Sequence, residues 1–206
     1  MNDLTTDLTA DLTADLTADL TADLTADLTA DLTAVAAAGI AVARVAESNR
    51  VAERFFVDNA ESIAHVCQAM AARFQKGARL LVYGEKAQQS DVAHVVVEFL
   101  HPVVVGKRAL PAIAVWSVES LETLGRDDDI LLALDSADPR EAALVASARR
   151  RGMLTLWLTG RASGDAVADF HFAVPSSDAC IVQETHEMLY HVLWELVHVF
   201  FDHRSA

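Results

Sequence analysis

The sequence predicts an α/β fold in which one five-stranded parallel sheet lies between layers of helices. Short apolar segments alternate along the chain with longer segments of helical periodicity. The apolar segments have no alternating polar positions, so each strand is expected to be buried on both faces. Strands of this kind, separated by helices, are typical of a parallel sheet with crossover connections.

Five apolar segments are the predicted strands. They are 79–84, 112–115, 129–134, 154–160 and 170–175. Four residues mark carboxyl ends of these strands, namely Gly84, Asp135, Gly160 and Pro175. Ligands of parallel sheets bind beyond such ends, so a site is expected near the loops that follow the strands.

The helices are predicted from apolar periodicity and from residues suited to helix ends. Residues 35–76 contain no Pro and indicate two helices with a break near 57–59, where Asn59 is suited to cap the second. The other helices are predicted from Ser90 or Asp91 to about His101, over 139–151 and over 181–202. Pro139 suits the first turn of its helix. We expect residues 35–206 to form a single domain.

Residues 1–34 are a separate acidic segment built from tandem repeats of Asp-Leu-Thr-Ala. A four-residue period moves each Leu by about 40° around a helix of 3.6 residues per turn, so the Leu stripe winds around the axis. Asp and Thr also favour helices less than Ala does. Two interpretations stay open: a disordered tail, or a marginal helix that self-association stabilises. In both cases the tail is expected to be solvated and to carry no chemistry.

Composition argues against several classes of function. The net charge is −14, to which the tail contributes −8 and the remainder −6, so neither nucleic acid nor an anionic membrane surface is an expected partner. The 206 residues are 52% hydrophobic, which allows one domain with a sizeable core. Cys67 and Cys180 are isolated and form neither a disulfide framework nor a zinc knuckle. No signal peptide or bilayer-spanning apolar run is visible, so the prediction is a cytoplasmic protein.

Two segments far apart in the chain carry nitrogen and oxygen ligands on predicted helices. His94 and Glu98 are four residues apart, so both side chains lie on one side of their helix. Gln183 and His191 are eight apart, about 80° around the closing helix, which still places them on one broad stripe. Two such helices facing each other offer two imidazoles, a carboxylate and an amide to one cation. That donor set suits Zn²⁺.

Several of these residues also have an ordinary structural interpretation. A single His-x-x-x-Glu pair is more often a surface pair or a hydrogen-bonded core histidine than a metal site. His186 is suited to bind a backbone carbonyl, and His198 is suited to packing. Trp194 fits a core or a subunit interface, and Ser136 fits a helix cap.

With these elements in place, the chain resembles the sugar isomerase (SIS) domain family, and most of all its phosphoheptose isomerases. The resemblance extends from about Glu61 to Phe201 and rests on the order and spacing of several segments. These are the helix with Asp91, His94 and Glu98, the phrases Leu110-Pro-Ala-Ile-Ala114, Arg151-Gly-Met-Leu-Thr155 and Leu158-Thr-Gly160, and Gln183-Glu184 with His186 and His191. The resemblance implies a flavodoxin-like three-layer sandwich and a homotetramer with active sites at subunit contacts.

The resemblance also implies an activity and a set of site residues. Family members interconvert sedoheptulose 7-phosphate and heptose 7-phosphate by moving a proton between adjacent carbons through an enediol. Carried over by position, the zinc ligands are His94, Glu98, Gln183 and His191. Glu98 and His191 are also carried over as the acid–base pair.

Two loops depart from the family pattern. After the first strand the family has Gly-Asn-Gly-Gly-Ser, and this chain has Gly84-Glu85-Lys86-Ala87-Gln88. After the third strand the family has Ser-Thr-Ser-Gly-Asn-Ser around the phosphate, and this chain has Asp135-Ser136-Ala137-Asp138-Pro139-Arg140. Only Ser136 keeps a hydroxyl there, so it is the candidate substrate-binding residue. Carboxylates in place of glycines and neutral donors oppose the binding of a phosphate.

Two functions therefore follow from the sequence. The first is a metal-dependent aldose–ketose isomerase that acts on a phosphosugar such as sedoheptulose 7-phosphate. The second is a non-catalytic SIS scaffold or regulator that keeps the metal site and has lost the phosphate loops. Some SIS proteins close to phosphoheptose isomerases work in this way, including one that binds the bacterial replication initiator. A neutral, unphosphorylated polyol is a third ligand to consider.

Overall fold

A computed structural model describes residues 4–102, 104–134, 139–161 and 167–204. The chain divides into two compact units, residues 1–47 and residues 48–206. The boundary at residue 35 between tail and domain stays a prediction.

Five parallel strands form one sheet in the second unit, in the order β2-β1-β3-β4-β5. The strands are β1 (Leu80–Tyr83), β2 (Ala112–Val115), β3 (Ile130–Leu134), β4 (Leu154–Thr159) and β5 (Phe170–Ala173). The helices are α1 (Leu4–Gln75), α2 (Gln89–Leu100), α3 (Val118–Leu124), α4 (Pro139–Arg151) and α5 (Ala179–Arg204). The predicted fold class is confirmed, and each predicted strand is present.

The two faces of the sheet are covered by different helices. One core joins α2, α5 and the part of α1 that follows residue 48 to alternate strand residues such as Leu80 and Leu132. The other core joins α3 and α4 to the intervening residues, such as Leu81 and Leu131. β1 and β3 are continuously apolar because helices bury both of their faces, whereas β5, at the edge of the sheet, contains His171 and is only partly buried.

Helix α1 has no break, so the prediction of two helices divided near 57–59 is wrong. Asn59 does not cap a new helix; its side-chain Nδ2 donates to the carbonyl of Phe55 at 2.8 Å, one turn earlier in the same helix. No Pro or Gly occurs between residues 40 and 75 to interrupt the backbone. The helix ends at Gln75, and Gly77 follows with a φ of +87° that favours glycine.

Helix α3 is absent from the sequence-based prediction. It has only seven residues and buries only Leu121, so it leaves almost no periodic signal in the sequence. Ser117 starts the helix by accepting a hydrogen bond on Oγ from the backbone N–H of Ser120 at 3.1 Å.

The amino ends of β1, β3 and β4 are tied together by charged side chains. The carboxylate of Asp129 is fully buried and accepts hydrogen bonds from the backbone N–H groups of Arg79 and Arg126 at 2.9 and 3.0 Å. The Arg79 guanidinium donates to both carboxylate oxygens. Arg73, in the last turn of α1, donates to the carbonyl of Gly152 at 3.0 Å.

These contacts change the acidity of Asp129. Burial alone would raise the pKa of its carboxyl group, but hydrogen bonds from Arg79 and from the backbone of Arg126 outweigh it. The pKa of Asp129 therefore lies below its ordinary value, and the group stays charged in the folded protein.

The first unit is helical wherever the structure describes it, over residues 4–47. Four of its apolar side chains, Val35, Ile40, Val42 and Val45, are exposed. Stabilisation of this segment by self-association stays a prediction. Among the described residues, none of the helices combines the length and apolarity that crossing a bilayer requires.

Asp129→Asn is expected to lower the free energy of unfolding by about 3 kcal/mol at neutral pH, because the partly buried Arg79 loses its charged acceptor. The pKa of Asp129 is lower in the folded protein than in the unfolded chain. The extra stability of the wild type over the variant is therefore complete at pH values above the pKa of Asp129 in the unfolded chain. It is lost as pH falls through the folded pKa. Urea unfolding of both proteins between neutral and acid pH measures the difference.

Asp58→Asn is the matched control, because Asp58 pairs with Arg54 on an exposed helix surface. Its loss should stay below about 1 kcal/mol. Equal losses in the two variants would contradict the role given to Asp129.

Candidate metal site

Helices α2 and α5 pack on the same face of the sheet and contact each other along one side. On α2, Val92, Val95 and Phe99 are buried in the core. The side that carries His94 and Glu98 is then left to meet α5. Burial of one face over successive turns of α2 thus determines which residues reach the contact between the helices.

Three predicted ligands converge at this contact. Nε2 of His94 lies 3.5 Å from Oε1 of Glu98, and Nε2 of His191 lies 3.7 Å from the same oxygen. One ligand atom from each of the three residues lies within 4.8 Å of the others. The two imidazole rings contact each other, with centroids 5.2 Å apart. His94, Glu98 and His191 form a candidate metal-binding group.

The donor set and its spacing fit a divalent cation. Two imidazoles and one carboxylate are common protein ligands of a catalytic zinc ion, which keeps a further position for water or substrate. Ligand atoms about 2.0–2.2 Å from a tetrahedral ion lie about 3.3–3.6 Å apart. The observed separations between nitrogen and oxygen, 3.5 and 3.7 Å, need little adjustment. The His191 side chain is 47% exposed, so the group opens to solvent.

Tyr190 holds one of these ligands in place. Its side chain is fully buried, and its hydroxyl lies 3.0 Å from Nδ1 of His94. A hydroxyl can donate to this nitrogen or accept from it, so it orients the ring in either tautomer and leaves Nε2 facing Glu98. Burial, followed by the charges of Glu187 and two other nearby carboxylates, raises the pKa of Tyr190. The hydroxyl therefore keeps its proton.

Gln183, the fourth predicted ligand, makes a hydrogen bond to a residue outside the metal-binding group. Its Nε2 donates to Oδ1 of Asp91, which lies in the first turn of α2, at 2.9 Å. Gln183 precedes His191 by eight residues, or about 12 Å along the axis of α5. The bond to Asp91 joins the amino-terminal parts of the two helices. A place for Gln183 in the metal shell stays a prediction.

Most of this chain aligns with proteins that are named phosphoheptose isomerase. The phosphoheptose isomerase of Desulfovibrio desulfuricans is 30% identical over 183 residues, which cover 78% of this chain and 87% of the relative. The chain belongs to the phosphoheptose isomerase-like SIS family. The phosphoheptose isomerase of Thermodesulfovibrio yellowstonii is 28% identical over 173 residues, which cover 73% of this chain and 86% of the relative. A scan against models of protein families found no match.

Solved structures of phosphoheptose isomerases have the same fold. The enzyme from Neisseria gonorrhoeae superposes with a TM-score of 0.65 at 20% identity, covering 76% of this chain and 95% of the other. The enzyme from Francisella tularensis gives a TM-score of 0.62 at 21% identity, covering 77% and 98%. These similarities establish the SIS fold of the second unit.

The loops that differ from the SIS family pattern are only partly described. Ser136, the predicted substrate-binding residue, lies with Asp135 and Asp138 outside the described residues. In the loop after β1, Oε1 of Glu85 accepts a hydrogen bond from the hydroxyl of Tyr83 at 2.6 Å. Oε2 of Glu85 lies 4.0 Å from Nη2 of Arg140 in the first turn of α4. A carboxylate thus lies where the family sequence pattern has small, uncharged residues.

Two further histidines of α5, His186 and His198, have structural contacts, as the sequence predicted. Nε2 of His186 lies 3.3 Å from the carbonyl of Thr159, and the two ring nitrogens of His198 lie within hydrogen-bond distance of the carbonyls of Trp194 and Arg108. The sequence analysis did not identify Tyr190 as a site residue. Its position next to His191 was the available signal, but an aromatic residue on an apolar helix face usually belongs to the core.

Tyr190→Phe is expected to weaken binding of a divalent metal about tenfold, because the ring of His94 loses the hydrogen bond that orients it. Competition with a chromophoric chelator measures the affinity, and the visible spectrum of bound Co²⁺ reports the altered ligand geometry. Tyr83→Phe is the matched control, since it removes a buried hydroxyl that bonds Glu85 instead. Equal affinities in wild type and Tyr190→Phe would contradict the orienting role.

Proposed function

We propose that this protein is a metal-dependent aldose–ketose isomerase of a phosphosugar such as sedoheptulose 7-phosphate. The convergence of His94, Glu98 and His191 at the contact between α2 and α5 is the observation that supports the proposal most. The relatives named phosphoheptose isomerase support the substrate class.

The proposed cofactor is Zn²⁺, held by His94, Glu98 and His191, with Gln183 as a fourth ligand. Two neutral nitrogens and one charged oxygen leave a net positive charge at the ion. When bound, the metal polarises the sugar carbonyl as a Lewis acid. The bond between Tyr190 and His94 keeps one imidazole ready for this role.

Glu98 and His191 are the proposed acid–base pair. Oε1 of Glu98 faces both imidazoles. Its second oxygen, Oε2, is then the atom that takes the proton from the substrate carbon. His191 is about half exposed, and Nδ1, the ring nitrogen that does not bind the cation, would carry the proton that passes to the neighbouring sugar oxygen. Because one carboxylate oxygen of Glu98 faces the cation and the other faces the substrate, Glu98 serves as a metal ligand and as a base.

A homo-oligomer, expected to be a tetramer, is part of the proposal. Apolar side chains remain exposed on the two helices that carry the site, including Val97 on α2 and Met188 and Val199 on α5. An association of copies through these helices would cover this surface.

A scaffold or regulator without catalysis is the second candidate. The position of Glu85 in the loop after β1 favours this candidate. The carboxylate of Glu85 accepts a hydrogen bond from the hydroxyl of Tyr83 and lies near Arg140 of α4. A protein of this kind would keep the metal and the fold and would lack turnover.

Glu98→Gln is expected to lower turnover of sedoheptulose 7-phosphate about 10³-fold, because an amide cannot accept the carbon-bound proton. Product formation is measured with zinc-loaded protein, and bound metal is measured on the same samples. Removal of the metal with a chelator should abolish turnover, and added Zn²⁺ should restore it.

Glu122→Gln is the matched control, since Glu122 is exposed on α3, on the other face of the sheet. It should retain wild-type turnover. Wild-type protein that contains metal, shows no turnover and gains no thermal stability from phosphosugars would refute the isomerase and favour the scaffold.

A further inference from the structure

A groove runs between α3 and α4, on the face of the sheet opposite the candidate metal site. It encloses a volume of about 390 Å³, and its floor is formed by the apolar residues Val118, Leu121, Leu144 and Ala148. We call it the α3–α4 groove. The helices of the metal site pack on the other face of the sheet, so a partner in this groove would not cover His94, Glu98 or His191.

The two rims of the α3–α4 groove carry opposite charges. On α3, Glu119 and Glu122 line the groove and are exposed, and the helix contains no basic residue. On α4, Arg140 and Arg151 line the groove, and the side chain of Arg140 is 75% exposed. The one acidic residue of α4, Glu141, is buried. One rim is therefore acidic and the other basic.

The length and apolar content of the groove suit a contact with protein. Its α4 wall extends from Arg140 to Arg151, which is about 16 Å along the helix axis. Trp116, just before α3, is 48% exposed, and Leu124, the last residue of α3, is 43% exposed. Apolar surface with an accessible tryptophan, bordered by charged side chains, is the usual composition of a protein interface.

The separation of charge indicates which partner fits. A uniformly acidic partner would be repelled by the glutamates of α3, and a uniformly basic partner by the arginines of α4. A second copy of this chain carries both rims. If a twofold axis runs along the groove, α3 of each copy lies against α4 of the other, and opposite charges meet on both sides. An axis across the groove would instead place α3 against α3, with like charges together.

We propose that the α3–α4 groove is a contact between two copies of this chain, related by a twofold axis along the groove. The carboxylates of α3 in each copy pair with the guanidinium groups of α4 in the other, and Trp116 packs on the apolar floor. This contact goes beyond the proposed function. It is also separate from association through α2 and α5, because those helices lie on the other face of the sheet.

Two variants with reversed charge test the contact. The α3 variant combines Glu119→Arg with Glu122→Arg, which makes both rims basic. The α4 variant combines Arg140→Glu with Ser147→Glu, which makes the α4 rim acidic on balance; Ser147 also lines the groove. All four side chains are exposed or half-buried, so both variants should fold, which thermal unfolding checks. Sedimentation of the full-length proteins over a range of concentrations measures association.

Each variant alone is expected to raise the dissociation constant of the contact at least tenfold, because like charges then meet on both sides. An equimolar mixture of the two variants should associate with a dissociation constant within about threefold of wild type, because each altered rim meets its opposite. Association through α2 and α5 is common to all samples. The difference in mass between wild type and each variant therefore reports this contact alone.

Lys76→Glu is the matched control, since Lys76 is exposed just after α1 and does not line the groove. It should associate as the wild type does. Wild-type protein with the same mass as both variants at every concentration would overturn the contact. Variants that no longer associate, in a mixture that does not recover association, would overturn the second copy as the partner.

Discussion

The contact between α2 and α5 is the constraint on which the candidate site depends. Both helices bury apolar residues in the same core, so their positions are determined by the sheet and not by the ligands they carry. Tyr190 is fully buried at this contact and bonds His94 across it. Asp91 and Gln183 join the amino-terminal parts of the same two helices. The chemistry of the site therefore follows from helix packing.

Charged side chains stabilise the amino ends of the central strands. At the amino ends of the strands, Asp129, Arg79 and Arg73 bind backbone groups and one another, and they leave little charge unpaired. Toward the carboxyl ends, a cavity next to Gly160 is lined by Asp91, Gln183 and His186. A parallel sheet favours this division, because its crossover loops at the carboxyl ends are free to vary.

The departures from the family loops bear on how a sugar would be held. Glu85 brings negative charge to the loop after β1, and Tyr83 and Arg140 hold it there. Glu98 and His191 line a cavity of about 460 Å³ together with the apolar side chains of Val104 and Val199. Both the isomerase and the scaffold can use it, since binding does not require turnover.

The sequence by itself determined the order of strands and helices, because continuous apolar runs and helical periodicity are local signals. It also identified the residue types for a metal group, since His94 and Glu98 are neighbours on one helix. It did not reveal the unbroken course of α1 through Asn59 or the short helix α3, because a side-chain bond to an earlier turn and a two-turn helix leave weak patterns. Only the tertiary structure decided that His191 meets Glu98, that Gln183 bonds Asp91, and that Trp194 lines a cleft. Those contacts join residues far apart in the chain, and the packing of helices on a sheet determines them.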